Sequence, residues 1–240
     1  MPKMFKEWTV LPHGKLSKLD DNLLTVVGDL HMPIGDFPRR MTVVRLSDAR
    51  LVIYSAIALD AEEMAALEAW GTPSFLVVPG GIHRMDAKIW KDRYPALFVV
   101  APAGSRKKVE EVVPVDGTEV DFGDPKVRFV TVPGTEALEA ALVVQTSSGS
   151  SLIVNDLIWT VDDLPGFGGW LMRVGGFTGD QPRIPRAVGF KLIKDRPALR
   201  TQLESWARLP ELNRIIVSHG PIVTAEPREV LHRLAQSLAA

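Results

Sequence analysis

Three apolar segments of the chain each end in a side chain that can bind a metal ion. The segment "FLVVPGGIHRMD" leads to His83 and Asp86, "LIVND" ends in Asp156, and "IIVSHG" leads to His219. Imidazole nitrogens and carboxylate oxygens are ligands for Zn²⁺, Mn²⁺ or Fe²⁺. Because reactive residues of α/β proteins gather at the carboxyl ends of buried strands, we expect these side chains to share one pocket. The chemistry such a pocket would support is the activation of a water molecule by a bound ion.

Each of these residues also has a purely structural interpretation. His219 could be a turn histidine that bonds a nearby carbonyl, and Asp156 could cap the turn that follows its strand. His83 could face solvent just before the helix that begins near Asp86. Asp86 could be the N-cap of that helix, a position that Asp often occupies. The metal-site interpretation therefore depends on whether these distant segments meet.

Strand and helix signals alternate along the chain. Two early strands joined by "SDA" predict a hairpin, and "DAEEMAALEAWG" predicts a helix with Asp60 as its N-cap and Gly71 at its end. Further strands are predicted near "SFLVVP", "ALFVVAP", "EVDF", "VRFVTVP", "EAALVVQTSS", "SSLIVND" and "RIIVSHGPIV", and further helices near "DAKIWKDRYP", "GSRKKVEEVV", "DRPALRTQLESWARL" and "EPREVLHRLAQSLA". This order predicts an α/β protein whose sheets are covered by helices, folded as a single domain over residues 1–240.

The order of the polar strand ends resembles the metallo-β-lactamase fold, a four-layer αββα sandwich used by many metal-dependent hydrolases. The resemblance begins at about Leu23. The segment "LIVNDLIW" corresponds to the Gly-Asp element of the family and "IIVSHG" to its closing His-Gly element, which makes Asp156 and His219 the implied ligands. The segments "FPRRMTVVRLSD", "LVIYSAIAL" and "HRMDAKIWKDRYP" resemble a bacterial branch whose His-x-His-x-Asp-His motif is eroded.

The chain departs from the family pattern at several ligand positions. Gly81 stands where the family has its first His, Met85 where it has Asp, and Asp86 where it has the last His of that motif. Thr135 replaces the third His, with Glu136 beside it as a further carboxylate. The candidate metal ligands are thus His83, Asp86, Asp156 and His219, with Asp156 and His219 also expected to be catalytic.

The resemblance implies a divergent metal-dependent hydrolase that holds one divalent ion and acts on a small substrate. The alternative is a member of the fold that has lost its metal site and binds a small ligand or a protein partner. The number of surviving ligands separates the two hypotheses, because an ion with four protein ligands needs an open position before it can activate water.

Composition narrows the expected partners and compartment. The formal net charge is −1 and the chain has no Cys, which argues against nucleic-acid or anionic membrane partners and excludes thiolate metal sites. The sequence shows no signal-peptide pattern and no apolar run near the ~20 residues that span a bilayer, so a soluble cytoplasmic protein is expected.

Residues 162–185 form a Gly/Pro-rich insertion with little secondary-structure signal. The insertion is also apolar, because it contains Phe167, Trp170, Leu171, Met172 and Phe177. A loop this apolar must be covered by something. It is predicted to be either a lid over the site or a contact between two subunits of a homodimer, and we favour the dimer contact.

Three further polar residues lie early in the chain. His31 is predicted in a loop between the first strands. Arg39 and Arg40 could steer an anionic substrate, but a doubled Arg beside a strand is typical of a solvated edge.

Overall fold

The computed structural model describes residues 4–32, 35–163 and 166–239, which form ten strands and seven helices. The strands are β1 (Ser17–Asp20), β2 (Leu23–Met32), β3 (Gly35–Arg45), β4 (Arg50–Tyr54), β5 (Thr72–Val77), β6 (Phe98–Val100), β7 (Val127–Thr131), β8 (Ala140–Thr146), β9 (Gly149–Trp159) and β10 (Leu212–His219). The helices are α1 (Ala61–Trp70), α2 (Ala87–Arg93), α3 (Ala103–Val109), α4 (Gly166–Val174), α5 (Arg186–Leu192), α6 (Arg196–Ala207) and α7 (Pro227–Ser237). No helix within the described ranges is long and apolar enough to cross a membrane.

The strands form two sheets. One has six strands in the order β1-β2-β3-β4-β5-β6, and the other has four in the order β10-β9-β8-β7. In the first sheet, β1 to β4 form an antiparallel meander, and β4, β5 and β6 are parallel to one another, with α1 and α2 between them in sequence. In the second sheet, β7 to β9 are antiparallel, and β10 joins β9 in parallel. The carboxyl end of β10 therefore lies beside that of β9.

Three apolar clusters separate four layers. Trp90 belongs to the cluster of α1–α3 and the six-stranded sheet. Val52 and Ile153 belong to the cluster between the two sheets. Trp206 and Leu231 belong to the cluster of α6, α7 and the four-stranded sheet. The molecule is therefore an αββα sandwich, which confirms the predicted fold class.

The predicted beginnings of two helices agree with local chemistry. The Oδ1 atom of Asp60 accepts a hydrogen bond from the Glu63 backbone N–H at 2.9 Å, and Gly71 follows the last residue of α1. Asp195 caps α6 in the same way by accepting from the Ala198 N–H at 2.9 Å. Caps of this kind contribute about 1 kcal/mol each, because they satisfy N–H groups that have no partner within the helix.

Some predicted boundaries are wrong for identifiable reasons. The strand predicted near "EVDF" is irregular, since Val120 and Phe122 pack on the core between the sheets without joining a ladder. The loop predicted around His31 is the end of a hairpin, because β2 continues to Met32. The side chain of His31 lies outside the described residues. The Gly-rich insertion contains α4, whose glycines had masked the helical pattern.

Candidate metal centre

Three of the four predicted ligands meet at one end of the sandwich. His83 follows β5, Asp156 lies in β9, and His219 ends β10. His83 Nε2 is 3.2 Å from Asp156 Oδ1 and 3.2 Å from His219 Nε2, and His219 Nε2 is 3.3 Å from Asp156 Oδ1. These three side chains, called the His–Asp–His cluster below, are largely buried. The order of the strands thus brings together groups that are 73 and 136 residues from His83 in sequence.

The donor atoms of the cluster fit a single metal ion. They form a nearly equilateral triangle with sides of 3.2 to 3.3 Å. Nitrogen and oxygen ligands of tetrahedral Zn²⁺ lie 2.0–2.2 Å from the ion, which separates them from one another by about 3.3 to 3.6 Å. The observed spacing lies at the short end of that range. Three protein ligands leave the fourth tetrahedral position to water or substrate, as in catalytic zinc sites.

The outer nitrogens of both imidazole rings have partners. The Pro38 carbonyl accepts a hydrogen bond from His219 Nδ1 at 2.8 Å, so the proton of a neutral ring is on Nδ1 and the lone pair of Nε2 faces the cluster. His83 Nδ1 lies 3.0 Å from the Ser55 hydroxyl oxygen. Such outer partners fix the tautomer and orientation of metal-binding histidines.

Trp159 supports the cluster from one side. Its indole ring stacks on the His219 ring, with centroids 4.0 Å apart and planes inclined by 26°. Its Nε1–H donates to the Asp156 backbone carbonyl at 3.0 Å. One aromatic side chain therefore contacts one ligand ring and restrains the backbone of another ligand.

Glu139 supports the backbone that carries Asp156. Where β9 passes the cluster, its parallel register with β10 shifts. The Oε1 atom of Glu139 accepts hydrogen bonds from the backbone N–H groups of Asn155 and Leu157, both at 3.2 Å. Asp156 lies between these two residues. The buried carboxyl group of Glu139 thus accepts the backbone N–H groups on both sides of Asp156, a role that carbonyl groups of a neighbouring strand fill in a regular ladder.

The two buried carboxyl groups have opposite electrostatic environments. Burial raises the pKa of Asp156, but the charge of His83 and the contacts of the His219 and His83 rings with its carboxylate outweigh that effect and hold its pKa well below the usual range. Burial and the charge of Asp156 raise the pKa of Glu139 well above its usual value. Asp156 is therefore ionised at neutral pH, whereas Glu139 favours its neutral form.

The structure does not bring Asp86 into the cluster. One carboxylate oxygen pairs with the Arg39 guanidinium, and the other accepts the Ala58 backbone N–H at 2.9 Å. Burial raises the pKa of Asp86, and Arg39 opposes that shift. Asp86 does precede α2, but its side chain does not cap the helix. Neither the ligand role nor the capping role predicted for Asp86 is supported, because both oxygens already have partners.

The doubled arginine is buried, so the prediction of a solvated edge is wrong. Arg40 Nε donates to the Val217 carbonyl at 3.0 Å and Nη2 donates to the Gly220 carbonyl at 2.9 Å, which joins β3 to β10. Burial lowers the pKa of Arg40 to about 10. The Nε and Nη2 atoms of Arg39 are buried without a hydrogen-bond partner among the described residues. The burial of Arg40 depends on carbonyl acceptors from a distant part of the chain, which a local sequence pattern does not reveal.

The eroded motif positions lie outside the cluster. A Cβ atom at Gly81 would lie 3.1 Å from Lys108 Cγ, because the Lys108 stem packs against this glycine. The buried Thr135 hydroxyl donates to the Val132 carbonyl at 2.7 Å, and Glu136 is exposed. These contacts give the substituted positions structural rather than ligand roles.

Gly220, directly after His219, is required by its backbone. Its φ is 104°, in the region that favours glycine, and a Cβ there would lie 2.6 Å from the Thr160 carbonyl carbon. The glycine lets the chain turn tightly beside β9 immediately after the ligand. The His-Gly pair of the sequence therefore has a steric origin.

A cavity of about 540 Å³ opens onto the cluster. Its apolar lining residues include Ala56, Ile82, Met85, Leu138, Trp159, Met172, Phe177, Val188 and Leu192. Two of these, Met172 and Phe177, come from the Gly/Pro-rich insertion and pack with Trp159.

This contact makes part of the insertion a wall of the cavity, and its lid role stays a prediction. The same insertion also exposes Trp170 and Leu171, by 56% and 41%. The homodimer contact stays a prediction. The side chain of Phe167 lies outside the described residues.

Comparisons with family models and with curated proteins gave no match. Solved structures, in contrast, are similar over nearly the whole chain. The mono-zinc form of the metallo-β-lactamase FIM-1 from Pseudomonas aeruginosa has a TM-score of 0.63 and 15% identity, over 95% of this chain and 96% of that chain. The DIM-1 metallo-β-lactamase exposed to ceftazidime has a TM-score of 0.63 and 13% identity, over 97% and 100% of the two chains. A metallo-β-lactamase from Hirschia baltica has a TM-score of 0.60 and 12% identity, over 93% and 98%. Together with the four layers and the converging strand ends, these similarities show that the chain has the metallo-β-lactamase fold.

Proposed function

We propose that the protein is a metal-dependent hydrolase of a small molecule and that the His–Asp–His cluster holds one divalent ion, Zn²⁺, Mn²⁺ or Fe²⁺. The observation that supports this most directly is the triangle of donor atoms with sides of 3.2 to 3.3 Å. A bound ion of this kind lowers the pKa of water toward neutrality and so supplies hydroxide for hydrolysis. A structural neighbour of the same fold was solved in a mono-zinc form.

The protein groups around the cluster would orient and shield the reaction. Asp156 and His219, the proposed catalytic residues, present one oxygen and one nitrogen to the reacting centre. The carbonyl of Pro38 keeps the proton of His219 on Nδ1. The apolar side chains of Met172 and Phe177 line the cavity and pack with Trp159. An apolar wall of this kind strengthens electrostatic interactions with a bound substrate.

The alternative is that the protein kept the fold, lost the metal and binds a small ligand in the same cavity. Its support is the loss of ligand types at Gly81 and Thr135, where contacts within the protein now fill the space. The two proposals differ in metal content. Metal analysis of the purified protein therefore separates them.

The test is elemental analysis and Zn²⁺ titration of protein purified without chelators. We expect about one equivalent of metal per chain, and at least tenfold weaker Zn²⁺ binding in the His219→Ala variant, which removes one of three ligands. His232→Ala is the matched control, because His232 lies on α7 and pairs with Glu204 away from the cluster. Less than about a tenth of an equivalent of metal after Zn²⁺ and Mn²⁺ are offered would rule out the hydrolase proposal.

A further inference from the structure

The cavity next to the cluster points to the kind of molecule that binds there. We propose that this ligand is a small, largely apolar carbonyl compound, such as an ester with an aliphatic chain, with its one polar group at the cluster. The identification of this ligand as a substrate rests on the proposed function. Its binding in the cavity does not.

The first observation is the chemistry of the cavity wall. Three elements supply apolar side chains: the turn after β5 provides Ile82, the insertion provides Met172 and Phe177, and α5 provides Val188 and Leu192. These groups offer contact to a hydrocarbon chain but no hydrogen bond. Each CH₂ group that moves from water into such surroundings gains about 0.8 kcal/mol.

The second observation is that most charged side chains in the wall already have partners. Asp86 pairs with Nη1 of Arg39, whose Nε and Nη2 atoms are left without a partner among the described residues. Lys108 donates to both carboxylate oxygens of Glu111 at 3.0 and 2.9 Å. Glu139 accepts hydrogen bonds from the backbone of β9. A ligand with several charges would lose its hydration without finding equivalent partners here.

Lys191 is a second exception in the wall, beside the two unpartnered nitrogens of Arg39. It is exposed and makes no ion pair within the described ranges. An exposed lysine offers a weak, solvent-screened interaction to a ligand. It therefore does not change the apolar character of the enclosed part of the cavity.

The third observation is the size of the cavity and the packing of its wall. A volume of about 540 Å³ lies within the range of small-molecule sites, roughly 300–1,000 Å³. Met172 is buried and packs with Trp159 and Phe177 above the cluster. A cavity of this volume fits a molecule of modest length.

The binding test uses unreactive probes and metal-free protein, so that it does not depend on catalysis. Isothermal titration with 1-butanol, 1-hexanol and 1-octanol should show affinity that rises about fourfold for each added CH₂, or about 15-fold for each two-carbon step. Equal affinity for the three alcohols would overturn the proposal. Tighter binding of succinate than of 1-octanol would overturn it as well.

Two substitutions on α5 locate the binding to the cavity. Val188→Asp places a charge in the wall and should weaken 1-octanol binding at least tenfold. Phe190→Asp is the matched control, because Phe190 is 87% exposed on the same helix and does not line the cavity. If Val188→Asp does not fold, Ile82→Asp gives the same test at a wall residue that is 61% exposed. Unchanged affinity in a folded wall variant would contradict the proposed location.

A second measurement connects the ligand with the proposed function. With Zn²⁺-loaded protein, kcat/KM for 4-nitrophenyl esters should rise from the acetate through the butyrate to the octanoate. One outcome is that alkanol affinity rises with chain length but the protein takes up no metal and hydrolyses no ester. That outcome would support the apolar ligand and refute the hydrolase. Hydrolysis of the esters without any dependence on chain length would support the hydrolase and refute the apolar ligand.

Discussion

At the scale of single residues, the cluster depends on partners that are not ligands themselves. The carbonyl of Pro38 and the hydroxyl of Ser55 contact the outer nitrogens of His219 and His83. Neither partner belongs to a recognisable motif, because Pro38 acts through its backbone and Ser55 is a single serine directly after β4. Each ring is nevertheless fixed in orientation by its partner before an ion binds, which reduces the ordering needed on binding.

The hydroxyl of Ser55 provides the sharper test of this arrangement. Ser55→Ala removes the partner of His83 Nδ1 and should weaken Zn²⁺ binding by about 10-fold or more, the range seen for outer partners of metal ligands. Ser74→Ala is the control, because its hydroxyl donates to the Thr72 carbonyl at an exposed position. Competition with a chromophoric chelator measures both affinities. Equal Zn²⁺ affinity in the two variants would show that Ser55 does not orient the ring.

At the scale of elements, β9 combines a regular strand with an interrupted end. It pairs with β8 and β10 over its first half and then shifts register at the residue that enters the cluster. Glu139 makes this possible, because its carboxyl group accepts the N–H groups on both sides of Asp156. Removing that acceptor would leave buried N–H groups unpaired, at a cost of about 1–3 kcal/mol each.

Two substitutions at Glu139 separate its hydrogen bonds from its charge. Glu139→Gln keeps an acceptor oxygen of the same size and should retain Zn²⁺ affinity within about threefold, since the neutral form of this buried carboxyl group is favoured. Glu139→Leu should lower the free energy of unfolding by about 2–4 kcal/mol and weaken Zn²⁺ binding. Urea denaturation and Zn²⁺ titration measure these effects. A Gln variant as weak as the Leu variant would show that the charge of Glu139, and not its acceptor, supports the cluster.

At the scale of the whole molecule, Asp20 joins the two sheets at the edge of the six-stranded sheet. Its carboxylate pairs with Arg214 of β10 at 3.1 Å and accepts hydrogen bonds from Thr146, Ser147 and Ser148 at the turn between β8 and β9. Burial raises the pKa of Asp20, but these hydroxyl groups outweigh it and hold the pKa well below its usual value of 3.8. The contact therefore stabilises the fold above the unfolded-state pKa, and this stabilisation is lost as the pH falls below about 4.

The sign of this pH dependence can be measured with Asp20→Asn. At pH 7 the variant should unfold about 4–8 °C below the wild-type protein, which corresponds to about 2 kcal/mol for a chain of this size. The difference in Tm should narrow as the pH is lowered from 5 to 3. Asp92→Asn, at an exposed pair with Lys88, should shift Tm by less than about 2 °C. Calorimetry at several pH values checks this, and a difference that widens toward pH 3 would contradict the assignment.

The sequence predicted what depends on local pattern. The helix that starts after Asp60 and the residues of the His–Asp–His cluster could be recognised because apolar periodicity and polar strand ends lie within a few residues. The role of Glu139 and the burial of Arg40 could not be recognised from the sequence, because their hydrogen-bond partners come from distant elements. The expectation that Asp86 joins the cluster is wrong for the same reason. A carboxylate suits a metal ion, but the ion pair between Asp86 and Arg39 could not be seen in the local sequence.

The glycine at position 81 makes the chain a poor starting point for a two-ion enzyme. A histidine introduced there would press on the stem of Lys108, because its Cβ atom would lie 3.1 Å from Lys108 Cγ, so the lysine on α3 would have to shift. A shift or a shorter side chain at position 108 would come at the expense of the contact between Lys108 and Glu111. Packing against Lys108 therefore restricts which side chains position 81 can accept.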